Sequence, residues 1–122
     1  FTPLDERPGR SPFDSQKSSS NSNDKRGKVL RIHPEKDGSY TIPDGNLFPK
    51  DGSQGLPEIY VMGARNPFTM AYNLDRDWLY WGDVGPDGNV TSERGPSAHD
   101  EINFEFIASA NGVTRSFIIS PA

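Results

Sequence analysis

Short apolar alternations separated by turn residues set the pattern of the chain from residue 28 onward. In Lys28 to His33, Leu30 and Ile32 point to one face and Arg31 to the other, which predicts a strand. Pro34 to Ser39 forms a turn with Asp37-Gly38 as its tightest point, and Tyr40-Thr41-Ile42 reads as the returning partner. Asn46 to Gly55 is a second turn-rich connection. Glu58 to Met62, Thr69 to Asn73 and Trp78 to Trp81 are three further strands, the last two joined by a turn through Asp75-Arg76-Asp77. Their spacing predicts a meander of three neighbouring antiparallel strands. Phe104 to Phe106 and Val113 to Ile119 are two more β-like runs around an Ala110-Asn111-Gly112 turn. Exposed and unpaired, the Phe-Ile-Ile of the second run is an aggregation hazard. Residues 1–26 differ: prolines at 3, 8 and 12 and six serines between Ser11 and Ser22 show neither a helical nor an alternating period. They read as a loop or excursion, either a solvated linker or a long loop at a rim.

Composition narrows the class. With 32% hydrophobic residues and a mean hydropathy of -0.74 over 122 residues, the chain has little material for a core of its own. Twelve glycines and eleven prolines between β-branched and aromatic runs favour an all-β chain rich in turns. A net charge of -4 offers no basic patch for phosphates, so nucleic acid is not an expected partner. The absence of cysteine excludes a disulfide framework and thiolate metal sites. No apolar run is long enough to span a membrane, and the first residues lack the pattern of a signal peptide. A start at Phe1 and the thin core are expected of a piece of a longer protein.

Candidate chemistry gathers between Pro57 and Asn103. The Gly63-Ala64-Arg65-Asn66-Pro67 corner sets a guanidinium and a carboxamide side by side at a strand end. Such a pair hydrogen-bonds an anionic or carbonyl-bearing ligand, or else clamps a carboxylate across a sheet. Gly85-Pro86-Asp87 offers backbone carbonyls, the hard oxygen ligands that calcium prefers, although a tight turn would use the same residues. Trp78, Tyr80 and Trp81 have the chemistry to stack on a sugar, but aromatic strand residues more often pack between sheets. Asn89-Val90-Thr91 fits the N-glycosylation sequon. No P-loop, Gly-x-Ser-x-Gly, His-Glu-x-x-His or EF-hand pattern occurs.

In order, Pro57-Glu58-Ile59-Tyr60, Gly63-Ala64-Arg65-Asn66-Pro67, Gly82-Asp83-Val84-Gly85-Pro86-Asp87 and Asp100-Glu101-Ile102-Asn103 resemble the motifs of the soluble quinoprotein glucose/sorbosone dehydrogenases. Weaker similarity reaches back through Gly27 to Ile32 as far as Asp5 to Arg10, so the resemblance covers about residues 5–103 and ends there. It implies a fragment of a six-bladed β-propeller, about one blade plus rim loops: a rim excursion at 1–26, a propeller segment at 27–103 and a divergent tail at 104–122. It also implies pyrroloquinoline quinone (PQQ) and calcium as cofactors. Arg65 and Asn66 would then contact the ortho-quinone, the Gly85 and Pro86 carbonyls the calcium beside it, and Glu101 a separate structural calcium. The parent enzyme would oxidise a sugar, pass electrons to an acceptor and work in the periplasm or after secretion. The family's histidine base matches neither His33 nor His99. A calcium-stabilised propeller without catalysis is the alternative, since propellers host many functions.

Overall fold

A computed structural model describes residues 4–97, 99–107 and the backbone of 116–120. Among them the chain is all-β apart from a 3-10 turn (Ser11–Phe13) and a five-residue helix, α1 (Ser15–Ser19). No described helix is long and apolar enough to cross a membrane. In the first sheet the central strand β1 (Lys28–Pro34) pairs antiparallel with β2 (Tyr40–Thr41), β3 (Ile59–Met62) and β7 (Ser116–Ser120). The second sheet is an antiparallel meander of β4 (Pro67–Asn73), β5 (Trp78–Asp83) and β6 (Glu101–Phe106).

The meander has a different first member from the one the strand spacing predicts. β3 lies in the other sheet, with Val29 opposite Val61, and the third meander strand is β6, with Trp78 opposite Phe106 and Asp83 opposite Glu101. The cause lies in the short β3–β4 link, whose backbone donors do not close a hairpin. Gly63 N–H donates to the Ser19 carbonyl (3.1 Å) and Ala64 N–H to the Gly27 carbonyl (3.2 Å). Those bonds turn the chain out of the first sheet, helped by Gly63 at φ 101°, a conformation open to glycine. The long connection 84–100 then brings β6 back beside β5.

Val29, Leu79, Trp81 and Ile107 form the buried cluster between the sheets, with Tyr60, Val61, Met70 and Tyr72 packed around it. Successive strand residues face opposite ways, so Leu79 and Trp81 point inward while Trp78 and Tyr80 look outward beside Phe104. β1 departs from simple alternation. Arg31 is buried, and Lys28 is fully buried with its Nζ donating to the carbonyls of Ser18 (2.9 Å), Ser19 (2.8 Å) and Arg26 (2.7 Å). All three ammonium protons therefore have acceptors, which is what makes a buried lysine tolerable.

The first segment carries a helix that its serine-rich sequence does not announce. Asp14 caps it, its carboxylate accepting from Gln16 N–H (3.1 Å), and Ser15, Ser18 and Ser19 are buried against the rest of the molecule. The Ala110-Asn111-Gly112 turn lies outside the described residues. The Phe117 to Ile119 backbone is paired along β1, from Lys28 opposite Ser120 to Ile32 opposite Ser116.

Candidate functional site

The Gly-Ala-Arg-Asn-Pro corner is fixed by one side chain. Asp83, at the end of β5, accepts the backbone N–H of Arg65 on Oδ2 (3.0 Å) and that of Asn66 on Oδ1 (2.6 Å). Val84 N–H adds a bond to the Asn66 carbonyl (3.0 Å), so the corner and the loop after β5 are stitched together over a few residues. A carboxylate that accepts two amides spans the corner as a fork, and charge assistance strengthens both bonds. Asp83 stands inside the Gly-Asp-Val-Gly-Pro-Asp motif, yet its partners lie 17 and 18 residues away, and no local pattern reveals them.

Arg65 reaches from this corner into the loop. Its Nη1 donates to the carbonyls of Val84 (2.8 Å) and Gly85 (2.5 Å), so two backbone oxygens converge on one cationic group. Gly85 is pinned in turn by Asp100, whose Oδ1 accepts its N–H (3.0 Å). A Cβ at Gly85 would collide with the His99 carbonyl, so only glycine allows the two chain segments to approach this closely. The Pro86 carbonyl accepts Gly88 N–H (2.7 Å) in the next turn.

Arg65 and Pro86 line a cleft of ≈ 250 Å³ with Asp87, Gly88, Val90 and Arg94. Leu4 closes one side, where Glu6 N–H donates to the Arg94 carbonyl (3.1 Å). Behind Leu4, the buried Asp5 accepts from Arg7 Nε and Nη2 (both 2.7 Å) and from Arg10 Nε (3.1 Å). The Arg7 guanidinium above all holds the Asp5 carboxyl well below the usual carboxylate range, against burial, which pushes it up.

The sequence-predicted residues divide in space. Arg65, Gly85 and Pro86 come together. Asn66 is adjacent in sequence but buried, and it is not among the residues lining the cleft. Glu101 is exposed and borders a separate hollow of ≈ 130 Å³ with Asp83 and Asn103. Among the described residues no three His, Cys, Asp or Glu side chains group as metal ligands, so any cation here would rest mainly on carbonyl oxygens. Neither histidine lines the cleft: His33 sits on β1 with Nε2 4.0 Å from Glu35, and His99 meets the loop through its backbone.

A family profile described as Glucose / Sorbosone dehydrogenase matches residues 9–111, most of the chain. The chain belongs to the glucose/sorbosone dehydrogenase family. No curated protein and no solved structure matches it. All of Arg65, Asn66, Gly85, Pro86 and Glu101 fall within the matched span, which runs past Asn103 to residue 111 and so extends the likeness beyond the end that the motifs alone predict. The two antiparallel sheets and the near-absence of helix among the described residues agree with a segment of this family's β-propeller. The strand β7 lies beyond the match, yet it supplies a full edge to β1.

Proposed function

We propose that this glucose/sorbosone dehydrogenase segment serves a PQQ- and calcium-dependent sugar dehydrogenase, contributing contacts to the quinone and its calcium. The observation that carries this reading is that Arg65 lines one cleft with Pro86 while its Nη1 donates to the Gly85 carbonyl behind it, all inside the family match. The donors that would hold the calcium are the carbonyl oxygens of Gly85 and Pro86, each of which keeps a second lone pair beside the one bond it accepts, from Arg65 Nη1 and from Gly88 N–H. When bound, the quinone supplies a two-electron acceptor for hydride from a sugar carbon. Arg65 would hold the quinone's oxygens with its planar donors, and Pro86 shapes the wall beside it. Asn66, turned inward, acts in this reading through the corner it helps to form. Glu101, in its own hollow, would take a second calcium with oxygen from Asn103 or the backbone.

The partners of this reading are the sugar, an electron acceptor and the remaining blades of the propeller, in the periplasm or outside the cell. Titration of the full-length protein with PQQ, with and without a calcium chelator, tests it. Binding only in the presence of calcium is the expected result. Absence of binding in both conditions favours the second reading, a propeller stabilised by calcium that performs no chemistry. A specific feature supports that rival: the bonds from Arg65 to the Val84 and Gly85 carbonyls are also those of a structural brace.

A further inference from the structure

We propose that Asn89 is an acceptor for an N-linked oligosaccharide. Asn89-Val90-Thr91 is the one Asn-x-Ser/Thr triplet of the sequence with a middle residue other than proline. All three residues are exposed, Val90 at 73%, within the connection 84–100 and outside any strand or helix. The triplet is a free span between two small turns. Before it, Gly88 N–H closes onto the Pro86 carbonyl (2.7 Å). After it, Ser92 and Gly95 exchange both backbone bonds at 3.0 Å. Among the described residues the Asn89 carboxamide has no hydrogen-bond partner, so nothing must break for it to enter a transferase. The Thr91 hydroxyl accepts Ser97 N–H at 3.3 Å, which leaves its own proton available to donate.

The reaction needs a lipid-diphosphate-linked oligosaccharide and its transferase. Asn89 Nδ2 attacks the anomeric carbon and a C–N bond forms. The C–O bond to the diphosphate breaks, and the lipid diphosphate leaves with the electron pair. The amide gives up one proton to a base of the transferase. Asn89 lies between Gly88 and Val90, both of which line the cleft, so the glycan would root at its rim and project into solvent.

The test is secretion of the full chain from a eukaryotic host, followed by intact-mass measurement, with transfer onto the purified chain by an isolated transferase as a second route. A mass increase of one oligosaccharide is expected, removed by peptide-N-glycosidase with conversion of Asn89 to aspartate. The shift should vanish in Asn89→Gln and in Thr91→Ala and persist in Thr91→Ser. Asn89→Gln should unfold at the wild-type midpoint, because the side chain has no bond to lose. Wild-type chain at its unmodified mass by both routes overturns the proposal, and so does a shift that survives Asn89→Gln.

Discussion

At the residue scale the site depends on two side chains with separable jobs. Asp83 satisfies the amides of Arg65 and Asn66 together, so Asp83→Asn replaces one of two acceptor oxygens by a donor that faces an N–H. A lost charge-assisted bond and an unsatisfied amide cost about 1–3 kcal/mol, and the denaturant midpoint should fall accordingly. Arg65 makes a different prediction. Its fork reaches two carbonyls through one nitrogen, and a lysine ammonium can still serve those oxygens while losing the planar face that would hold a quinone. Arg65→Lys in the full-length protein should therefore lower turnover well below wild type with a small change in unfolding midpoint. A large midpoint shift with unchanged activity per folded molecule would make Arg65 a brace alone. The sequence groups Arg65, Gly85 and Pro86 because two motifs carry them, and the fold brings those motifs side by side. Asp83 stood in one of them without a readable role, since its worth comes from amides on another segment. The burial of Lys28 has no local signal either, because only the fold brings the three carbonyls to its ammonium.

Among elements, the least expected behaviour belongs to the first segment. α1, the start of β1 and the Arg65 corner meet at Gly27, where φ is 67° and a Cβ would overlap the Ala64 carbonyl and stand 2.6 Å from Ser19 Cβ. The same junction carries the Gly63 to Ser19 and Ala64 to Gly27 bonds, so the corner is held from behind by the serine-rich helix. Gly27→Ala combines backbone strain with a backbone clash and should cost more than about 2 kcal/mol by thermal unfolding. β5 was readable from alternation because Leu79 and Trp81 bury one clear face, and β1 and β2 from the Asp37-Gly38 turn between two short apolar runs. The partner of β3 was not, because a four-residue link looks the same whether its amides close a hairpin or bond to distant carbonyls. Acid should loosen this region first. Burial pushes the Glu58 carboxyl up, but the hydrogen bonds from Lys25 (2.9 Å) and Tyr40 (2.7 Å) outweigh it and leave the pKa lowered. Asp5 is lowered as well. Between the native and unfolded pKa values the native state binds fewer protons, so stability rises with pH there and is lost as pH falls through the native values. The midpoint should decline below about pH 4, where unfolded carboxyls begin to protonate, and Asp5→Asn should flatten that decline.

At the scale of the whole molecule, the buried cluster of Val29, Leu79, Trp81 and Ile107 joins the two sheets but leaves the other side of the meander open. Trp78 stacks on Phe104 with ring centroids 5.3 Å apart, and Phe106 and Ile102 stand exposed beside them. A sheet with apolar residues on both sides is the form a blade takes between neighbours, and it agrees with the family's propeller. The same architecture sets what the chain can do unaided. Removing hydride from an alcohol carbon requires a base within hydrogen-bond reach of the hydroxyl proton. The cleft presents Arg65, Arg94 and Asp87 but no histidine among its lining residues. His33 lies on β1 beside Glu35, and His99 contributes its carbonyl to the packing at Gly85. Asp87 is exposed to water, and among the described residues no other carboxylate or imidazole lines the cleft to take the alcohol proton. The 122-residue chain, supplied with PQQ, calcium and a panel of aldoses, should therefore reduce no acceptor dye above the rate of a chain-free control. Sustained turnover abolished by His99→Ala would place a complete site within these residues, and turnover abolished by Asp87→Asn but not by His99→Ala would identify the carboxylate as the base.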